Sequence, residues 1–341
     1  MTIQSFAYEK KENSAVIWRC FSYDRTAEVP EEIEGLKVTA IAPYAFSAHM
    51  DEKQLEKGIR EGKIHVYIPE ALQMEGNLPP ALCGSNVTEI SFPSGVTQIG
   101  RYCFYNCDNL HKLTFSGTLG DWGSGVFTGC HKVRNLTVSI DRSGVSFLKS
   151  ILDELPEELR VEYIVEPVYN AEGELCSDQG HAHLVFPEFF EEGTENTPAK
   201  ILGVRYHGMG MRYRNCFKNK IFDFRKFDDK ALFQLSITQE PAETMAEMAM
   251  NRLRYPYELS EQAAEMYREH IQMHGHDLIG LLMKQKDLAG IRWLLDIAGK
   301  DQRLIEELTE QASKQQFAEA LSCLMEYHHA NTRTVRRRRE L

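Results

Sequence analysis

The feature that most constrains this chain is a spacing of 23 residues that recurs through its first half. Phe104, Cys107, Leu110, Leu113 and Phe115 fall on Phe127, Cys130, Val133, Leu136 and Val138 one period later. One period earlier, Leu110, Leu113 and Phe115 meet Val87, Ile90 and Phe92; one period beyond, Leu136 and Val138 meet Leu159 and Val161. A turn of this length cannot bury its own hydrophobic side, so a repeated apolar pattern describes a chain wound into stacked coils that share one core. Leu-x-Phe and Leu-x-Val segments alternate sides, and each coil is therefore expected to carry one short strand with its apolar side inward. The Phe of each coil then fills the opposite wall, and Cys107 and Cys130 occupy the turn after it.

Between these strands lies a second pattern. Val96-Thr97-Gln98-Ile99-Gly100 leads into Cys103-Phe104 and Cys107, and Val38-Thr39-Ala40-Ile41 leads into Ala45-Phe46 in the same way. This run, with Ile90-Ser91-Phe92-Pro93 ahead of it, resembles the BspA-like leucine-rich repeat, in which an apolar-Pro strand precedes Val-Thr-x-Ile-Gly, Ala-Phe and a Cys. The segment from Ala15 to Cys20 resembles the opening strand of such arrays. The resemblance covers residues 8–165 and implies a short α+β solenoid, with one short strand per coil and protein binding as its use. Residues 51–62 read as a charged helix inserted into the second coil, and residues 147–152 as a short helix closing the stack. Some BspA-like relatives are surface adhesins, a role that requires export, and no export signal is visible at this N-terminus.

After residue 165 the pattern changes. Residues 166–235 form a junction with turn signals, a strand-like His183-Leu184-Val185-Phe186 and an acidic loop from Glu191 to Pro198. Residues 236–330 have helical period: Pro241 suits a first helical turn, Ser260 and Asp287 suit N-caps, and Pro256 ends the first helix. Phe317, Ala320, Leu321, Leu324 and Met325 form a helical stripe. Within it, Leu321, Leu324 and Met325 reproduce the spacing of Ile291, Leu294 and Leu295, at a distance similar to that between ankyrin or tetratricopeptide hairpins. The expected architecture is thus a capped leucine-rich-repeat solenoid followed by an all-helical domain and a basic tail, 331–341. Met245, Met248, Met250, Met266 and Met273 read as helix core.

The formal net charge of −11 disfavours a general nucleic-acid binder, because phosphate contacts need a basic footprint. The tail containing Arg333 and Arg336 through Arg339 is the local exception, expected to be a solvated terminus. No stretch is apolar for long enough to span a bilayer, and the start of the chain has no apolar segment behind a basic one. A cytoplasmic, bacterial-type protein follows as the expectation, with its eight cysteines reduced.

No P-loop, dinucleotide fingerprint or nucleophile elbow occurs. Cys103, Cys107 with His111, and Cys130 with His131 suggest zinc, but they recur with the coil and need no metal. His181 and His183, His274 and His276, and His328 and His329 form local pairs without a carboxylate at ligand spacing. Neither metal nor cofactor is expected, and no catalytic residue is assigned. The most chemical stretch is residues 205–216, which holds three arginines, two tyrosines, a histidine and a cysteine. Arg205, Tyr206, His207, Arg212, Tyr213, Arg214 and Cys216 would suit an anionic ligand, with guanidinium forks on oxygen and a thiol beside positive charge. The plainer alternative is a strand-turn-strand whose arginines pair with the acidic segment 188–195. The leading expectation is a non-enzymatic protein-interaction scaffold; an enzyme or regulatory domain using residues 205–216 is the second.

Overall fold

The computed structural model describes residues 3–73, 78–169, 175–196, 201–298 and 301–339. The chain divides into two compact units, Met1–Phe227 and Asp228–Leu341.

In the first unit, β1 (Ser5–Lys11) and β2 (Ser14–Phe21) form an antiparallel pair, followed by β3 (Thr26–Glu28), β4 (Glu32–Ile33) and β5 (Leu36–Ile41). The charged insertion then gives α1 (Glu52–Arg60), capped by the Asp51 carboxylate on the amides of Lys53 and Gln54. It continues as β6 (Ile64–Tyr67), paired with β1, and α2 (Glu70–Gln73). The regular part runs through β7 (Glu89–Ser91), β8 (Gln98–Ile99), β9 (Lys112–Ser116), β10 (Asp121–Trp122), β11 (Asn135–Ile140), α3 (Leu148–Glu154) and β12 (Leu159–Val165). After β13 (Val168–Tyr169) and β14 (Leu175–Ser177), β15 (Gly180–Phe186) returns antiparallel along β12. A separate hairpin, β16 (Phe190–Asn196) and β17 (Ile201–His207), leads to α4 (Gly210–Arg214), β18 (Phe217–Lys218), β19 (Ile221–Phe222) and α5 (Phe224–Phe227).

The chain passes alternately between two sheets. One has the order β15-β12-β11-β9-β7-β3; the other has β10-β8-β5-β2-β1-β6, with β4 on β5. Each regular coil therefore carries two strands where the sequence shows one. The second is too short to display alternation. Ile90, Leu113 and Leu136 stand in register across β7, β9 and β11, as the sequence period requires. The next step differs from the sequence alignment: Leu136 pairs with Val161, and Val138 with Tyr163. That step is longer than the period, because α3 replaces the turn of the earlier coils and takes up more chain.

The core between the sheets is aromatic. Phe46, Phe104 and Phe127 follow one another with ring centroids 5.9 and 5.6 Å apart, and Phe92 lies 6.1 Å from Phe104. All four are buried, as are Ile99, Leu110, Phe115, Val133 and Val138. Between coils the backbones touch at the glycine after each short strand. A Cβ on Gly123 would sit 2.2 Å from the amide nitrogen of Arg101, and one on Gly100 would sit 2.3 Å from that of Pro43. Both obstacles are backbone, which cannot swing aside as a side chain would.

Among its described residues the second unit has only helices: α6 (Lys230–Ile237), α7 (Ala242–Arg254), α8 (Glu261–His274), α9 (Ile279–Gln285), α10 (Leu288–Ala298), α11 (Gln302–Lys314) and α12 (Ala318–Arg339), with a short 3-10 turn between α8 and α9. Pro241 and Ser260 stand at N-caps, and Asp287 accepts from the Gly290 amide. Met245, Met248, Met250 and Met266 are buried, but Met273 is 70 % exposed, as it lies on the outer face of α8. The α9–α10 and α11–α12 turns share one geometry: Lys286 and Gln316 both take a left-handed φ, 51° and 54°. The next amide, of Asp287 or Phe317, donates to the carbonyl of Leu282 or Ala312. Within the stripe pair, Ile291, Leu294, Leu295 and Leu324 are buried, Leu321 is half-buried and Met325 is exposed. The side chains of the arginine tail lie outside the described residues.

Deep in this unit the Asp228 carboxylate receives Nε and one terminal nitrogen of Arg252, at 2.9 and 2.8 Å, and the Tyr267 hydroxyl at 2.9 Å. The Arg252 side chain is completely buried, so removing the Asp228 carboxylate takes a charge-assisted pair out of the interior.

Two outcomes follow in urea unfolding of the full chain. Gly123→Ala should lower stability by about 1–3 kcal/mol, as a methyl forced against backbone does in a packed core. Asp228→Ala should cost about 3–5 kcal/mol, the usual penalty for removing one member of a buried ion pair.

Candidate functional site

Because side chains alternate across a strand, the six-stranded sheet turns its apolar residues inward and a polar row outward. Glu28, Ser91, Thr114, Thr137, Glu162 and His183 stand directly opposite one another across β3, β7, β9, β11, β12 and β15. A second row runs Thr26, Glu89, Lys112, Asn135 and Arg160. All of these are half-buried or exposed. Along this face Glu89 lies 3.6 Å from His111 and 3.9 Å from Lys112, Arg160 pairs with Glu158 at 2.9 Å, and Thr137 Oγ1 donates to Glu162 Oε2 at 3.0 Å. These polar and charged side chains, set one per strand on the ladder, form the outward surface of the sheet.

At the far end of the first row the two histidines of β15 meet the carboxylate of β12. His181 Nε2 lies 3.2 Å from Glu162 Oε1 and 3.1 Å from His183 Nε2, and His183 Nε2 lies 3.9 Å from the same carboxylate oxygen. Sequence spacing found the histidine pair but not the carboxylate, because Glu162 stands 19 residues before His181. Only the antiparallel register, Glu162 opposite His183, brings them together.

The other histidine pairs behave differently. His274 lies 3.4 Å from Asp277. His276 sits between Glu307 at 2.8 Å and Asp301 at 3.2 Å, and the hydrogen bond to Glu307, helped by Asp301, holds its pKa above the ordinary imidazole value. His328 is exposed, and the His329 side chain lies outside the described residues.

The residues of the 205–216 segment are not gathered round one point. Arg205 and Tyr206 are exposed on β17, where Arg205 stands opposite Glu192 and Tyr206 opposite Glu191. His207 pairs with Glu192 at 2.9 Å and stacks on Phe190 with centroids 4.7 Å apart. This part is a strand paired antiparallel with the acidic strand β16. Arg212 is exposed on α4, while Tyr213, Arg214 and Cys216 are fully buried. The Arg214 guanidinium donates to the carbonyls of Leu152, Pro187, Leu155 and Glu157, so it ties α3 and its following loop to the end of β15. Cys216 Sγ donates to the Arg212 carbonyl at 3.5 Å, away from solvent.

Two cavities are described, and neither is lined by this segment. One, of about 580 Å³, lies between α11 and α12 over Ile305, Thr309, Leu324 and Met325. The other, of about 690 Å³, lies beside Phe127, Cys130, His131 and Glu157.

The cysteines of the repeat serve the fold. Cys107 Sγ donates to the Phe46 carbonyl at 3.2 Å, and Cys130 Sγ to that of Phe104 at 3.0 Å, one coil later. Burial pushes the Cys107 thiol well above its usual value, and raises Cys130 to about 12. Cys103 is likewise raised by burial. A buried thiol held protonated in this way is a poor nucleophile near neutral pH.

With this geometry in place, the comparison with known proteins is specific. Residues 80–151 match the BspA type Leucine rich repeat region, in six copies. The matched residues run from just ahead of β7 into α3, the part with the strictest repeat register. No curated protein and no solved structure matches the chain. Among the described residues, no helix is long and apolar enough to cross a membrane.

Thiol labelling of the native chain checks the burial argument. Among the described cysteines, half-buried Cys83 should react first; Cys103, Cys107, Cys130 and Cys216 should react only after denaturant is added. Labelling of Cys107 or Cys130 at the Cys83 rate would show that the coils open far more often than their packing allows.

Proposed function

We propose that this protein is a non-enzymatic interaction scaffold. In this reading residues 1–165 form a short, capped solenoid, residues 236–330 a module of helical hairpins, and the protein works in the cytoplasm on protein partners. The observation that carries the reading is the outward face of the six-stranded sheet. It presents Ser91, Thr114 and Thr137 at one residue per coil, flanked by Glu89, Lys112, Asn135 and Arg160. Repeat arrays commonly bind through such extended surfaces, whose rigidity lowers the ordering cost of association. The BspA-type repeat supports protein binding as the general role.

The test uses the full chain. A Ser91→Arg/Thr114→Arg/Thr137→Arg variant changes the face without touching the core, and should keep the wild-type melting temperature within a few degrees. Crosslinking in host lysate should then lose the partners captured by wild type. A Lys53→Glu variant on exposed α1 should keep them. Capture of the same partners, in the same yield, by the arginine variant would remove this face from the function.

A further inference from the structure

We propose that Glu162, His181 and His183 form a binding site for a divalent transition-metal cation of the zinc class, with one coordination position left open to solvent. This inference is independent of the scaffold reading, since it rests on the ligand geometry alone.

Three donor atoms converge on one point. A tetrahedral zinc-class ion with bonds of about 2.1 Å places its ligand atoms about 3.4 Å apart. The three separations here are 3.1, 3.2 and 3.9 Å, scattered around that value. Two imidazoles and a carboxylate are also the ligand types that such ions prefer. The Nε2 atoms of both histidines and Glu162 Oε1 crowd together, and one proton on His181 Nε2 serves only one of its two neighbours. A cation accepts all three lone pairs at once.

The surroundings are those of a supported site. His181 and His183 are alternate residues of β15 and share its outward side, while Glu162 stands directly opposite His183 on β12. The two strands are paired along their whole length, from Leu159↔Phe186 to Val165↔Gly180, so the ligands are carried by a rigid ladder and not by a loop. Thr137 Oγ1 holds Glu162 Oε2 from β11, which fixes the carboxylate so that Oε1 faces the histidines. Thr137 is thus a positioning residue, of the outer-shell kind that orients a ligating carboxylate. The three side chains are between 30 and 39 % exposed, enough for an ion to enter and for a water or a partner's side chain to take the fourth position.

The experiment is a zinc titration of the full-length, tag-free protein against a chromophoric chelator, with far-UV circular dichroism on each variant. Wild type should bind one equivalent that His183→Gln and the His181→Gln/His183→Gln pair each lose. Thr137→Val should keep the equivalent but bind it roughly 10-fold more weakly, the lower end of what loss of an outer-shell partner costs. His276→Gln, which alters the other carboxylate-flanked histidine, should change nothing. The proposal is overturned if wild type binds no zinc, or if its equivalent survives in the double variant. Glu162→Gln gives the same decision through the carboxylate should a histidine variant fold poorly.

Discussion

Everything in the repeat unit depends on one coil lying in register on the next. Main-chain hydrogen bonds fix the spacing of β7, β9 and β11, and that spacing brings Ile90, Leu113 and Leu136 into contact as equivalents. The phenylalanines stack because their coils stack, the thiols reach the carbonyl of the preceding coil for the same reason, and the glycines between coils remain glycines because the approach leaves no room for Cβ. The polar rows outside are the other side of that same registration. A shift of one residue in any strand would exchange the core and surface side chains of that strand.

Much of this is legible in the sequence, since the cause is periodic. The positions from Phe46 to Val138 named from the repeat are all buried. Legibility fails where the cause is not periodic. The very short strands β8 and β10 carry no alternation to detect. The shift at β12 comes from the length of α3, which nothing in the spacing of Leu136 and Leu159 reveals. The candidate cation site depends on an antiparallel return that is absent from the earlier coils. His181 and His183 could be seen as a pair, but Glu162 becomes their neighbour only after β15 has reversed direction.

Arginine is the residue whose role sequence reading judges least well here. Arg19, Arg214 and Arg252 are among the largest fully buried side chains. Arg19 donates to the carbonyls of Ala45 and Ser47, Arg214 to four carbonyls, and Arg252 to Asp228 and to the carbonyls of Tyr255 and Tyr257. A guanidinium carries five N–H groups in a planar fork, so one side chain can finish several irregular backbone ends at once. That use leaves no mark on local composition. In the 205–216 segment it places Arg214 inside the fold, while Arg205, in the same short stretch, remains on the surface.

The reversal of β15 also determines how an array like this can change in length. Between β7 and β11 the pairing is parallel on both walls, and one repeat unit maps each strand onto the next. Duplication of such a unit lengthens the molecule and leaves every contact type unchanged. Beyond β12 the translational rule ends, since the next strand in the sheet points the other way and α3 has already altered the step. A duplicated unit would therefore find matching neighbours between β7 and β11, whereas one placed after β12 would meet an antiparallel strand.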